Sequence, residues 1–150
     1  MSKALTGLIA GLLVLFITLA VGQGQGSELW LFIGRFHPSV VHLPIGILLV
    51  ALALDVLARR PRWAGYAAAT PVVLLAGAWF AIIAACLGLL LSDGRGYAEG
   101  ILGWHKRLGV ALAVAATVAY ALRARGMPNG LRRSWYEASV TLLLFGLVVG

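Results

Sequence analysis

The chain divides into five long apolar blocks, at residues 5–22, 38–58, 71–91, 105–122 and 135–150, with short polar and basic segments between them. An α-helix needs about 17–25 predominantly apolar residues to cross the hydrocarbon of a bilayer. The pattern therefore predicts an all-α integral membrane helical bundle of five transmembrane helices in one domain, 1–150. The last block has 16 residues and stops at Gly150 without a polar anchor, so the natural chain is expected to continue. The first block follows Lys3 and ends in Ala20-Val21-Gly22, a small-x-small sequence that also suits a signal peptide or signal-anchor. A retained first helix is the preferred reading.

Local residues refine this outline. Residues 23–36 form a Gly-rich polar connector that turns aromatic at Trp30, Phe32 and Phe36, as an interfacial belt does, and a short helix on the membrane surface fits there. Pro38 suits the first turn of the second span, where its missing N–H has no helical partner to lose. Pro44, one turn further in, is expected to kink the helix and free the carbonyl of Val40. Asp55 and Arg59 lie four residues apart on one face and predict a local ion pair, with a proton relay as the sharper alternative. In the third span Gly77, Ala81 and Ala85, and Ala84 and Gly88, repeat small residues at four-residue spacing, which lets a neighbouring helix approach closely.

Composition agrees with the pattern. Hydrophobic residues make up 61% of the chain and charged residues 11%, where a soluble domain carries about 25% charged. The net charge of +7 does not point to nucleic acid, because the basic residues flank apolar blocks as membrane anchors do. The single cysteine, Cys86, is mid-span and reads as a small packing residue. No Cys-x-x-Cys-His is present, which excludes a c-type haem attached in the usual way. There is no Ser-His-Asp arrangement, P-loop or dinucleotide fingerprint, so a stand-alone enzyme is the weaker expectation.

Charge also orients the bundle. With five spans, one side carries Lys3, Arg59, Arg60, Arg62, Arg123, Arg125, Arg132 and Arg133; the other carries Arg35, Arg95, Lys106 and Arg107. The positive-inside rule puts the first group, with the N-terminus, in the cytoplasm. All three histidines, His37, His42 and His105, then begin helices on the outer, periplasmic side.

Ionisable side chains within membrane helices are uncommon and point to function. His37 and His42 are five residues apart, which on a regular helix turns their faces about 140° from each other. His42 is more than a turn deeper and is the expected ligand; His37 is the expected cap or secondary group. A b-type haem takes an axial imidazole from each side, and bundles supply these from facing helices. His42 and His105 are the candidate ligands of the haem iron. Gly46 and Gly109 each follow a histidine by four residues and open room for a flat macrocycle. Arg35, Lys106 and Arg107 are placed to neutralise propionates. Two other readings stay open on the residues alone: a transition-metal site, and histidines that only cap helices and bond carbonyls.

Arg35-Phe36-His37-Pro38, Val41-His42-Leu43-Pro44-Ile45, Gly96-Tyr97 and Trp104-His105-Lys106-Arg107-Leu108-Gly109 together resemble the DUF2231 family of predicted bacterial membrane proteins, over roughly residues 34–150. Leu43 stands where the family usually has Phe. The last span of many relatives runs on into Gly-His-x-Gly-Gly, which would begin where this sequence reads Val148-Val149-Gly150. The resemblance implies a bacterial inner-membrane protein and, because relatives are often fused to or found beside planctomycete-type c-type cytochromes, a periplasmic cytochrome or larger membrane complex as partner. Two functions are carried forward. The first is an electron-transfer subunit holding haem b near the periplasmic face. The second is a non-catalytic anchor or scaffold of a respiratory or photosynthetic complex, with structural histidines and with the small-residue stripe and the aromatic connector as partner surfaces. A transporter is less well supported, since only Asp55 and Glu137 are acids near membrane depth.

Overall fold

A computed structural model describes residues 3–21, 28–93 and 100–125. Among these the chain is helical, with no strand: α1 (Lys3–Val21), α2 (Glu28–Gly34), α3 (His37–Val40), α4 (His42–Leu57), a 3₁₀ segment (Pro61–Ala68), α5 (Thr70–Asp93) and α6 (Ile101–Ala124). Four stretches are long and apolar enough to cross a membrane: Lys3–Ala20, Glu28–Leu57, Thr70–Ser92 and Gly103–Ala124. Helices are the natural outcome for such runs, because in lipid every backbone N–H and C=O has to be satisfied within the segment. The expected first to fourth spans are therefore present as helices. The expected fifth, 135–150, and the loop residues Arg95, Tyr97 and Glu99 lie outside the described residues.

The second span is longer and more broken than expected. The polar connector gives way to helix at Glu28, and Glu28–Leu57 runs for 30 residues, with mean hydropathy 2.4 over its most apolar 18. At about 1.5 Å per residue this matches the roughly 40–45 Å of a bilayer with its headgroups. The two prolines set the interruptions. Pro38 has no N–H to offer Gly34, and the chain turns at Arg35-Phe36; Pro44 has none to offer Val40, and the helix is interrupted at Val41.

α5 is the axis, touching every other element described. Close contacts run antiparallel along it. A Cβ on Gly77 would come within 2.5 Å of Leu48 Cδ2, one on Gly88 within 3.0 Å of the His37 ring, and one on Gly34 within 2.6 Å of the Leu91 backbone nitrogen. α1 runs parallel to α5, with Gly7 and then Gly11 against Trp79 and Gly11 also near Ile82. Leu8, Leu15, Ala78, Ala113, Ala116 and Ala119 are fully buried. Without a hydrophobic driving force between helices in lipid, close van der Waals approach holds such a bundle together. Gly88 and Gly77 of the small-residue stripe of α5 are spent on that approach within the chain, against α3 and α4, and its Ala81 and Ala84 are buried along a cleft lined by the histidines. This corrects the expectation that it forms a partner surface.

Among the described residues the buried side-chain polar groups are satisfied locally or across helices, apart from the Trp63 indole N–H, which is buried without a partner. The hydroxyls of Thr18, Thr70, Ser92 and Thr117 donate to carbonyls three or four residues earlier. Asp55 is buried, and its principal partner is not Arg59 but Arg123, whose Nε–H donates to Oδ1 at 3.1 Å. Arg123 Nη2 also donates to the Ala67 carbonyl at 3.3 Å. The expected Asp55–Arg59 pair is longer, 3.6 Å, with the Arg59 side chain 60% exposed. Arg123, counted from sequence as a headgroup anchor, instead ties the last turns of α4 and α6 and the 3₁₀ segment together. His37, His42 and His105 lie at the opposite end.

Candidate functional site

Four helices converge at the histidine end. α3 and the start of α4 form one wall, α6 the other, and α5 the floor. They border a partly open cleft of about 380 Å³ lined by His37, His42 and His105 together with Pro38, Pro44, Ala81, Ala84, Ala85 and Gly109. The volume falls within the roughly 300–1,000 Å³ typical of small-molecule sites. Alanines of α5 leave the floor almost free of side chains, while α6 contributes Leu108 and Leu112 on either side of Gly109. A second cavity of about 140 Å³ borders the same two imidazoles, His37 and His105, and continues to Ser92 and Lys106.

His37 and His105 face each other, with ring centroids 6.1 Å apart and planes at 85°. His37 is anchored: its Nδ1 lies 2.8 Å from the Ala84 carbonyl oxygen. A carbonyl only accepts, so Nδ1 carries the proton, and in the neutral ring Nε2 keeps its lone pair. Metal-ligating histidines are commonly oriented in this way. Gly88 makes the position possible, since a side chain there would strike the His37 ring at Cε1 and Nδ1.

This differs from the arrangement expected of a regular helix. The interruption at Val41 lets His37 and His42 line one cleft despite their spacing. The expected order of burial is reversed. His37 is partly buried and faces His105, whereas His42 is exposed at the mouth. Of the other residues singled out from sequence, Gly109 borders both cavities and Lys106 the smaller one. Gly46 is exposed, has open space around it and lines neither cavity. Arg35 and Arg107 are exposed, and Arg107 lies over the Trp104 ring at 5.5 Å. The Ala84 carbonyl and Gly88 were not foreseen as parts of the site. A backbone acceptor leaves no sequence signal, and Gly88 was legible only as a member of a small-residue repeat.

The donor set decides what the cleft can hold. Among the described residues no three His, Cys, Asp or Glu side chains are grouped to hold a metal ion, so a cage of protein ligands is not formed. Two opposed imidazoles over a floor of small residues suit a group that brings its own equatorial ligands. A metal held from opposite sides at about 2.0 Å from each imidazole nitrogen would set the ring centroids roughly 6 Å apart, close to the 6.1 Å between His37 and His105.

The fold and site define a polytopic helical membrane protein with a histidine-lined cleft at one end. Comparison with family models agrees: the model described as "Predicted membrane protein (DUF2231)" matches residues 35–150. The chain belongs to that family. The match begins at Arg35, so it takes in the histidine motif, α4, α5 and α6, while α1 and α2 precede it. Neither the curated proteins nor the solved structures compared with the chain gave a match.

Proposed function

We propose that the protein is a membrane-embedded electron-transfer subunit whose His37 and His105 would hold a b-type haem in the cleft. The observation that carries this reading is the opposed imidazole pair, 6.1 Å apart, with one ring oriented through Nδ1 by a backbone carbonyl. A haem bound there would supply a one-electron carrier. The chain's own contributions are distinct. Ala84 holds the His37 tautomer through its carbonyl. Gly88 and Gly109 keep space beside the two rings. Lys106, at the smaller cavity, supplies positive charge for a propionate, and the apolar walls exclude water, which tunes potential. His42 stands at the mouth, where a lipid-soluble donor or a partner protein would approach. Pairing His42 with His105, as depth along a regular helix suggests, is the competing assignment.

The arginine-rich end would face the cytoplasm of a bacterial inner membrane, and the histidine end the periplasm, where a c-type cytochrome or a larger complex would exchange electrons. Charge bias supports this sidedness. The test is an absorbance spectrum of the purified protein before and after dithionite. A sharpened α-band and a shifted Soret band on reduction are expected. His37→Ala and His105→Ala should each abolish the signal, and His42→Ala should leave most of it. Loss with His42→Ala and retention with His37→Ala would reassign the ligand. A wild-type protein that takes up no haem, either in cells or on titration, would end this reading.

A second reading has its own support. The His37–Ala84 bond ties α3 to α5, and Trp30, Phe32 and Phe36 are each at least half exposed along α2 and the following turn. On this reading the histidines are structural, and the protein is a non-catalytic anchor or scaffold whose aromatic face meets a partner complex. Retained co-purification of a partner by the haem-free His37→Ala protein, lost in Trp30→Ala/Phe32→Ala, would favour it.

A further inference from the structure

The opposite end of the bundle carries a second arrangement of residues with a different chemistry. Lys3, Arg59, Arg60, Arg62, Arg123 and Arg125 gather there, and the one carboxylate among the described residues at that end, Asp55, is already engaged by Arg123 and Arg59. Arg60 and Arg62 are exposed and have no carboxylate partner among the described residues. They flank Pro61 at the start of the 3₁₀ segment, which does not swing freely. Its Ala67 carbonyl accepts from Arg123, and its Tyr66 carbonyl accepts from the Thr70 hydroxyl. On its surface Trp63 stacks on Tyr66, with ring centroids 5.5 Å apart and planes at 18°, and the Arg62 guanidinium lies 4.9 Å above the Trp63 ring.

We propose that this turn is a binding site for the phosphodiester headgroup of an anionic phospholipid, with Arg60 and Arg62 gripping the phosphate and Trp63 and Tyr66 seated at the boundary of headgroup and acyl chain. Guanidinium groups present paired N–H donors that match phosphate oxygens. Indole and phenol rings favour the interfacial depth at which such a phosphate lies. A basic turn between membrane helices, held in place from beneath by a buried ion pair, offers those donors at little cost in ordering. The occupant is a lipid rather than a free anion, because the aromatic pair adjoins the arginines and each terminus of the segment enters a membrane helix.

The experiment is native mass spectrometry of delipidated protein in detergent, incubated with equimolar phosphatidylglycerol and phosphatidylcholine of identical acyl chains. Each basic residue near a charged headgroup contributes about fivefold in retention. Wild type is expected to retain phosphatidylglycerol over phosphatidylcholine by at least about tenfold. Arg60→Gln/Arg62→Gln should fall to near parity, while Arg35→Gln/Arg107→Gln, exposed at the histidine end, should keep the preference. Inorganic phosphate in excess should displace little of the bound lipid. A wild-type protein without preference, a double variant at the turn that keeps it, or full displacement by inorganic phosphate would overturn the proposal.

Discussion

The two ends of the bundle solve the same problem in opposite ways. Each brings α4, α5 and α6 together around polar side chains. At the arginine end a buried carboxylate and guanidinium meet at 3.1 Å, and the guanidinium continues to a backbone carbonyl. At the histidine end two prolines interrupt the helix, glycine and alanine replace larger side chains, and three imidazoles border open volume. Charge closes one end; the lack of side chains keeps the other open. A bundle fastened at one end tolerates a cleft at the other, and this division of labour places the candidate site.

The largest test of the contrast is at the fastened end. Asp55→Ala leaves Arg123 buried without its carboxylate, and removing one partner of a buried pair costs about 3–5 kcal/mol. The double variant Asp55→Leu/Arg123→Leu should recover most of that loss, as buried pairs replaced by apolar groups often do. Unfolding in mixed micelles measures both, and equal instability of the single and double variants would show that the ion pair is not the fastening. Next in size is Gly34→Ala, whose Cβ would meet the Leu91 backbone at 2.6 and 2.8 Å. Backbone cannot rotate away, so a loss of about 1–3 kcal/mol is expected from overpacking. His37→Ala should cost less, about 1 kcal/mol for the bond to Ala84, because Ala84 lies inside a helix. Its main effect is expected on ligand binding. Smallest is Arg59→Gln: an exposed partner at 3.6 Å contributes about 0–1 kcal/mol. A loss at Arg59 as large as that at Asp55 would reverse the assignment of the carboxylate's partner.

Much of the fold is legible in the sequence, because the length of an apolar block is itself the physical requirement for spanning hydrocarbon. The interruption near Val41 follows from the missing N–H of Pro44. What escaped is chiefly non-local. Arg59, four residues from Asp55, is the partner that helical spacing offers; Arg123 is 68 residues away and becomes the partner only once α4 and α6 pack on α5. Helical rotation separates His37 from His42 only if the helix is regular, and the proline that breaks it also brings both to one cleft. Gly46 matched Gly109 in spacing from a histidine, but only Gly109 borders the cavities. A short helix was expected within residues 23–36, on the membrane surface; the helix Glu28–Gly34 is there, but it gains its place by packing on α5.

The central claim is that His37 and His105 hold one iron between them, and their rings stand at 85°. Low-temperature electron paramagnetic resonance of the oxidised, haem-loaded protein reads this directly, because a ferric haem held by two imidazoles would give a low-spin signal, whereas loss of one would give a high-spin signal. That signal is expected in wild type and in His42→Ala, and should disappear in both His37→Ala and His105→Ala. A high-spin signal in wild type, or a low-spin signal that survives His37→Ala unchanged, would contradict the account.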